Sequence, residues 1–192
     1  MKHNLVGIKE VALGWIKKYL LMYQVEKDGE VNDYTYELVS RNKVECCEDL
    51  AAKTNAVSVI VRDRLGRYLL LREFRYAVND YVIDFPAGLI DDGETIEDAA
   101  KRELFEETGI KDCEIKSAMT GGFSSAGMTD EKVALCLVEV DDLLNSDINN
   151  KHTETTEDIQ YMIMDFDNLV ITANGVDGKV SNRVQFFAMS RI

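Results

Sequence analysis

The stretch that most constrains the fold is residues 96–108, which contain neither glycine nor proline. Thr95 lies three residues before Asp98 as a capping signal, and Gly109 stands where a C-cap glycine belongs. The spacing therefore predicts an α-helix over 96–108. The apolar residues that share one face of this helix are Ile96, Ala99, Ala100 and Leu104.

Acidic side chains crowd the last turns of the same predicted helix. Glu103, Glu106 and Glu107 are spaced three and four residues apart, so they share a face that nearly continues the apolar one. Carboxylates near a helix C-terminus oppose the dipole, and burying them is costly unless a cation meets them. Oxygen ligands favour a hard divalent ion, Mg²⁺ or Mn²⁺. The pattern predicts a metal site that holds a phosphate; the alternative is a solvated acidic helix end.

The segment GLIDDGETIEDAAKRELFEETGI resembles the Nudix box, G-x5-E-x7-R-E-U-x-E-E-x-G-U, in which U is aliphatic. The family hydrolyses nucleoside diphosphates linked to another moiety, by metal-dependent attack of water on the pyrophosphate. The box covers only a small part of the chain, but its pattern is highly specific. The residues that fill its defined positions are Gly88, Glu94, Arg102, Glu103, Leu104, Glu106, Glu107, Gly109 and Ile110.

The resemblance assigns roles to the polar residues of the box. It implies that the metal ligands are the glutamates Glu103, Glu106 and Glu107. The backbone carbonyl of Ala87 is expected to add a further ligand. Glu94 and Arg102 are expected to form the structural salt bridge of the box.

Composition narrows the class of partner. The chain has 192 residues, enough for one sizeable core, and a net charge of −13. This acidity argues against a nucleic-acid partner, because phosphate backbones need basic surface. The four cysteines contain no C-x-x-C pair, so a zinc site is not expected, and reduced thiols are consistent with a cytoplasmic protein. The N-terminal residues show neither a signal-peptide core nor a membrane-spanning segment.

The layout along the chain predicts an α/β fold, with a mixed sheet between helices. This agrees with the α/β/α sandwich that the Nudix resemblance implies, here assigned to residues 51–192. Residues 1–50 resemble the N-terminal antiparallel β-sheet extension of ADP-ribose pyrophosphatase-like members, which forms a homodimer and helps build the substrate site. The alternative is packing within the same domain. The predicted strands are 15–25, 34–40, 56–62, 67–74, 81–85, 114–120, 132–139 and 159–165, and the later helices are 166–174 and 182–192.

The approach to the box suggests how substrate is held. LLLREFRYAVNDYVIDFPAGLID resembles the corresponding segment of ADP-ribose and sugar-nucleotide hydrolases, in which an arginine at the position of Arg75 contacts the pyrophosphate. A surface salt bridge is the alternative for Arg75. Arg41 is a further candidate, Tyr81 is a candidate for stacking on a base or sugar, and Gly88 is expected to line the site.

The segment after the box, GGFSSAGMTDEKVALCLVEV, resembles a loop that commonly carries Ser-Pro-Gly in the same subgroup. Ala126 replaces the proline that accompanies ADP-ribose specificity, which leaves the sugar open. Ser125, Gly127 and Thr129 are expected to line the substrate site, with a plain surface turn as the alternative.

A further acidic residue is expected from the loop before the last strand. In relatives it acts as a general base or as an extra metal ligand. HTETTEDIQY supplies Glu157 in the favoured alignment, with Glu154 as the second candidate. The alternative for both is a solvated acidic loop.

Together these features predict a Mg²⁺-dependent pyrophosphatase that converts ADP-ribose to AMP and ribose 5-phosphate. Two alternatives remain open: a pyrophosphatase for GDP-mannose or another nucleotide sugar, and a non-catalytic domain that binds a nucleotide sugar. The complete set of box glutamates argues against the non-catalytic domain, because a binder need not keep them all.

Overall fold

The computed structural model describes residues 2–12, 14–148, 158–175 and 179–190. Helices are α1 Ile96–Thr108, α2 Phe166–Ala173 and α3 Asn182–Met189, with a short 3-10 helix at Cys47–Asp49. Strands are β1 Lys2–Ala12, β2 Lys17–Lys27, β3 Glu30–Ser40, β4 Ala56–Asp63, β5 Tyr68–Arg75, β6 Asp80–Asp84, β7 Ala87–Leu89, β8 Glu114–Phe123, β9 Lys132–Val140 and β10 Ile159–Met164.

The chain divides into two compact units. The first comprises the residues up to Asn55 together with Gly121–Val133. The second comprises Ala56–Thr120 and the residues from Ala134 onward.

The first unit contains an antiparallel sheet of β1, β2 and β3, in that order. Asp28 and Gly29 join β2 to β3 with φ angles of 54° and 85°, as a two-residue hairpin turn of the I′ type requires. Tyr19, Leu21 and Leu38 are buried in its small core. The N-terminal antiparallel sheet expected from the sequence is confirmed, although β1 was not among the predicted strands.

The second unit is organised around a sheet with strand order β10-β5-β4-β9-β8, with β6 beside β5 and β7 beside β4. Alternate residues of β5 face opposite sides of this sheet. Leu69 and Leu71 lie in a core with the apolar face of α1. Tyr68 and Leu70 lie in a second core with α2 and α3. Helices therefore cover both faces, and the predicted α/β class with a mixed sheet is confirmed.

Helix α1 has the bounds predicted from its sequence. The Thr95 hydroxyl accepts a hydrogen bond from Asp98 N at 3.1 Å, and Gly109 ends the helix with φ 78°. Ala99, Ala100 and Leu104 are fully buried. The two caps fix where the helix begins and ends, and its buried apolar face fixes its orientation on the sheet. Together they position the acidic C-terminal turns of the helix.

Three described elements lie outside the sequence predictions: β1, the 3-10 helix and the three-residue strand β7. Strand β7 directly follows Pro86 and contains Gly88, so it is too short and too irregular to show a period of two. None of the described helices has the length and apolar character needed to cross a membrane.

Candidate active site

Strand β7 and helix α1 bring Gly88 and Glu103 into direct contact. Gly88 pairs with Val57 of β4, which holds β7 in the sheet. A Cβ added at Gly88 would lie 2.0 Å from the carboxyl carbon of Glu103 and 2.1 Å from each of its oxygens. The absence of a side chain at Gly88 therefore lets the Glu103 carboxylate lie against the backbone of β7.

Arg102 is the centre of a charged cluster on α1. Its Nε and Nη2 donate to the two carboxylate oxygens of Glu94, both at 2.9 Å, and Nη2 also donates to Leu89 O at 2.8 Å. Its Nη1 donates to Glu103 at 2.7 Å and to Glu106 at 3.0 Å. The bond from Arg102 lowers the pKa of Glu94, and the same bond raises the pKa of Arg102. The bidentate pair fixes the guanidinium, which in turn orients two glutamates.

Glu107 lies on the buried side of the helix and is 6 % exposed. Its Oε2 accepts a hydrogen bond from Ala87 N at 3.1 Å. Tyr161 of β10 donates from its hydroxyl to the backbone carbonyl of Glu107 at 2.9 Å. Burial, with the Glu107 charge as a further cause, raises the pKa of Tyr161. Sequence reasoning missed Tyr161, because its partner is a backbone atom and nothing in a local pattern reveals that contact.

The donor set can be compared with the needs of a divalent cation. Among the residues that the structure describes, no three acidic, cysteine or histidine side chains converge closely enough to hold a metal ion as they stand. Glu103 and Glu106 instead share one cationic group, Nη1 of Arg102. Carboxylate oxygens are the hard donors that Mg²⁺ and Mn²⁺ prefer. Glu103 and Glu106 already share a cation, and Glu107 follows Glu106 directly in the sequence. The chemistry of these donors therefore suits a divalent ion, but the carboxylates would have to move closer together, and the ion would compete with Arg102 for the oxygens of Glu103 and Glu106.

Two of the predicted substrate residues lie on β5 and β6 of the second unit. Arg75 ends β5 and pairs with Glu73 at 2.5 Å, with its side chain 42 % exposed. Tyr81 donates from its hydroxyl to Asp158, and the Arg72 guanidinium lies 4.0 Å above its ring. The present contacts of Arg75 are those of a surface ion pair, and one face of the Tyr81 ring is already covered.

Four further predicted substrate residues, Arg41, Ser125, Gly127 and Thr129, belong to the first unit, where the loop 124–131 is bonded to β3. Val39 N donates to Met128 O at 3.0 Å, and the Tyr36 hydroxyl donates to Gly127 O at 2.5 Å. Arg41 donates from Nε to Glu131 at 2.8 Å. The structure thus brings the Arg41 and loop candidates together.

The loop itself is closed by local bonds. Ser125 O accepts from the amides of Met128 at 2.9 Å and Thr129 at 3.0 Å. The Thr129 hydroxyl accepts from Glu131 N at 3.2 Å. The remaining predicted candidates, Glu154 and Glu157, lie outside the described residues.

A model of the NUDIX domain matches residues 52–183. The ADP-ribose pyrophosphatase of Bacillus subtilis (strain 168) is 26 % identical over 162 residues, which cover 84 % of this chain and 87 % of that protein. The ADP-sugar pyrophosphatase of Mus musculus is 44 % identical over 134 residues, 65 % of this chain and 57 % of that protein.

A solved structure with a similar fold carries the description crystal structure of ADP compounds hydrolase. Its TM-score is 0.63 at 18 % identity, and the match covers 100 % of this chain and 94 % of that one. At 18 % identity this similarity shows only that the two folds are alike. Since the NUDIX model covers more than half of the sequence, and the box residues lie on β7, on α1 and in the segments next to that helix, this chain belongs to the Nudix hydrolase family.

Proposed function

We propose that the protein hydrolyses the pyrophosphate bond of a nucleoside diphosphate sugar, with ADP-ribose as the preferred substrate. Water would attack one phosphorus, one P–O bond would break, and the products would be AMP and ribose 5-phosphate. The observation that carries the proposal is the cluster in which Arg102 joins Glu94, Glu103 and Glu106 beside Gly88. The relatives named as ADP-ribose and ADP-sugar pyrophosphatases support the choice of substrate.

Nudix enzymes generally use divalent metal ions. The residues proposed to hold Mg²⁺, or Mn²⁺ in its place, are the glutamates Glu103, Glu106 and Glu107 and the carbonyl of Ala87. When bound, such an ion neutralises charge on the pyrophosphate and favours deprotonation of water. The protein's own contribution is to keep the carboxylates oriented.

Side chains of the proposed site have three separate roles: orienting the carboxylates, accepting a proton and binding phosphate. Glu94 anchors the guanidinium of Arg102, so that Glu103 is held against the backbone at Gly88. Glu157 is proposed as the general base that takes the proton from the attacking water, with Glu154 as the second candidate. Arg75 is proposed to exchange its partner Glu73 for a phosphate oxygen, which its exposure permits.

Substrate selection is proposed to involve the first unit. Residues 1–50 would mediate a homodimer, and Arg41, Ser125, Gly127 and Thr129 would contact the substrate. Ala126 stands where the family pattern has proline. We propose that this change broadens acceptance of the sugar rather than abolishing ADP-ribose hydrolysis.

A substrate panel tests the proposal. The purified protein would be incubated with Mg²⁺ and ADP-ribose, GDP-mannose, UDP-glucose, NADH or a dinucleoside polyphosphate, and nucleotide products would be separated by chromatography. Fastest release of AMP from ADP-ribose is expected. Faster turnover of GDP-mannose would mean that the same reaction has a different nucleotide sugar as its preferred substrate. Tight binding of one compound without turnover of any would indicate a non-catalytic binder, and a monomer by light scattering would contradict the homodimer.

A further inference from the structure

Asp84, the last residue of β6, is a buried carboxylate with four hydrogen-bond donors. It is 6 % exposed. Its Oδ1 accepts from Phe85 N at 2.8 Å, from the Ser181 hydroxyl at 2.6 Å and from Arg183 Nε at 3.3 Å. Its Oδ2 accepts from Arg183 Nη2. No residue of the Nudix box takes part in this cluster, and no role proposed so far uses it.

The hydrogen bonds from Ser181 and Arg183 to Asp84 connect the start of helix α3 to strand β6. Ile83 N donates to Lys179 O, and Ser181 N donates to Ile83 O, both at 2.9 Å, as a short parallel bridge. Ser181 also caps α3, accepting a hydrogen bond from Val184 N at 3.4 Å. The first turn of α3 and the end of β6 therefore form one bonded element.

The chain runs from Asp84 directly to the candidate active site. Each of the next three residues, 85 to 87, contacts another element of the second unit. Phe85 is buried against Phe187 of α3, with ring centroids 5.4 Å apart. Pro86 O accepts from Val59 N at 2.7 Å. Ala87 N donates to the Glu107 carboxylate at 3.1 Å.

We propose that Arg183 is a positioning residue for the active site, acting through Asp84 and the segment 84–87 on the Ala87 amide that holds Glu107. A partly buried ion pair offers little stability over an apolar pair of the same size, because desolvation offsets the attraction. Its directional bonds, in contrast, define where the Asp84 end of the segment 84–87 lies. The catalytic part of this inference rests on the proposed pyrophosphatase activity; the structural part does not.

The test compares Arg183→Ala with Arg62→Ala, a matched control. Arg62 pairs with Glu139 at 2.7 Å and its side chain is 33 % exposed, against 29 % for Arg183. Both variants are expected to lower the melting temperature to a similar extent. Only Arg183→Ala is expected to speed hydrogen exchange at the Ala87 amide, by about tenfold. It is also expected to lower kcat for ADP-ribose by about tenfold with KM within about twofold.

A conservative variant separates charge from geometry. Arg183→Lys keeps the charge but not the paired donors, so it is expected to restore only part of kcat and of the amide protection. Should Arg183→Ala not fold, Asp84→Asn is measured in its place, because asparagine keeps the shape and removes the charge.

Equal exchange at Ala87 in Arg183→Ala and Arg62→Ala, or equal kcat values, would overturn the positioning role. If the unmodified protein hydrolyses no member of the panel, the proposed function fails. In that case the exchange rate of the Ala87 amide alone still decides whether Arg183 positions the segment 84–87.

Discussion

Glu103 occupies the space that a side chain at Gly88 would need: a Cβ there would lie 2.0 Å from the Glu103 carboxyl carbon. Gly88 is not among the described glycines with a positive φ. Its requirement is therefore one of space rather than of backbone conformation. The first glycine of the Nudix box here serves to let a carboxylate reach the backbone of β7.

Substitution of Gly88 by alanine should separate activity from stability. The displaced atoms are the far end of a flexible side chain, so the free energy of unfolding should change by no more than about 1 kcal/mol. The Glu103 carboxylate must nevertheless move by more than an ångström, which should lower kcat/KM by about 100-fold. Urea denaturation and steady-state kinetics with ADP-ribose measure the two effects.

Gly122→Ala provides the control, because a Cβ at Gly122 would meet no atom within 4 Å. Both quantities should remain near those of the unmodified protein. If Gly88→Ala retains full activity, the approach of Glu103 to the backbone has no catalytic importance.

Sequence reasoning succeeded where the determinants are local. Helix α1 has the predicted bounds because its caps, Thr95 and Gly109, and its apolar stripe lie within one segment. The Arg102 and Glu94 pair was likewise expected, since both belong to one contiguous box. Strands β4 and β5 also lie within one residue of their predicted positions.

The remaining features depend on contacts between distant residues. Strand β1 has a register shift between Leu5 and Gly7, which interrupts the alternation by which a strand is recognised. Arg183 and Asp84 are 99 positions apart, and Tyr161 bonds a carbonyl 54 positions away. Local spacing in the sequence reveals neither of these long-range contacts. The contacts of Asp84 and Tyr161 near the box glutamates are therefore visible only in the folded structure.

Glu107→Gln should abolish turnover without unfolding the protein. Glutamine keeps an oxygen that accepts from Ala87 N, so the 3.1 Å hydrogen bond and the packing are retained. The loss of charge should weaken Mn²⁺ binding and lower kcat by at least about 100-fold. Circular dichroism, Mn²⁺ titration and product chromatography report on fold, metal binding and turnover.

Glu97→Gln is the matched control, since Glu97 is exposed on the first turn of the same helix. It removes one charge from α1 without changing a defined position of the box, and activity should be unchanged. Full turnover by Glu107→Gln with Mg²⁺ would remove Glu107 from the proposed ligands.

Acid should weaken the contact between Glu94 and Arg102. The hydrogen bond from Arg102 holds the pKa of Glu94 below its ordinary value of about 4.5. The unfolded chain therefore binds the proton more readily, and the stabilisation is present above pH 4.5 and is lost as pH falls through the folded pKa. The difference in unfolding free energy between the unmodified protein and Glu94→Gln should shrink as pH falls from about 6 to about 3.

A double-mutant cycle checks the cause. In an Arg102→Met background, the effect of Glu94→Gln should depend much less on pH, because the main group that lowers the pKa of Glu94 is gone and only the bond from the Asp91 amide remains. An equally large pH-dependent difference in that background would assign the shift to another group.

Ser58 offers a test of the sheet beneath the site. It pairs with Ala87 across β4 and β7, it is completely buried, and its hydroxyl has no hydrogen-bond partner among the described residues. Burying an unsatisfied hydroxyl is costly, so Ser58→Ala should leave the free energy of unfolding unchanged or raise it by about 1 kcal/mol.

Ser40 is also buried, but its hydroxyl accepts a hydrogen bond from Asn42 N at 3.0 Å. Ser40→Ala should therefore lower the free energy of unfolding by about 1 kcal/mol. Urea titration of both variants measures the contrast, and a Ser58→Ala protein destabilised as much as Ser40→Ala would mean that the Ser58 hydroxyl is bonded in solution.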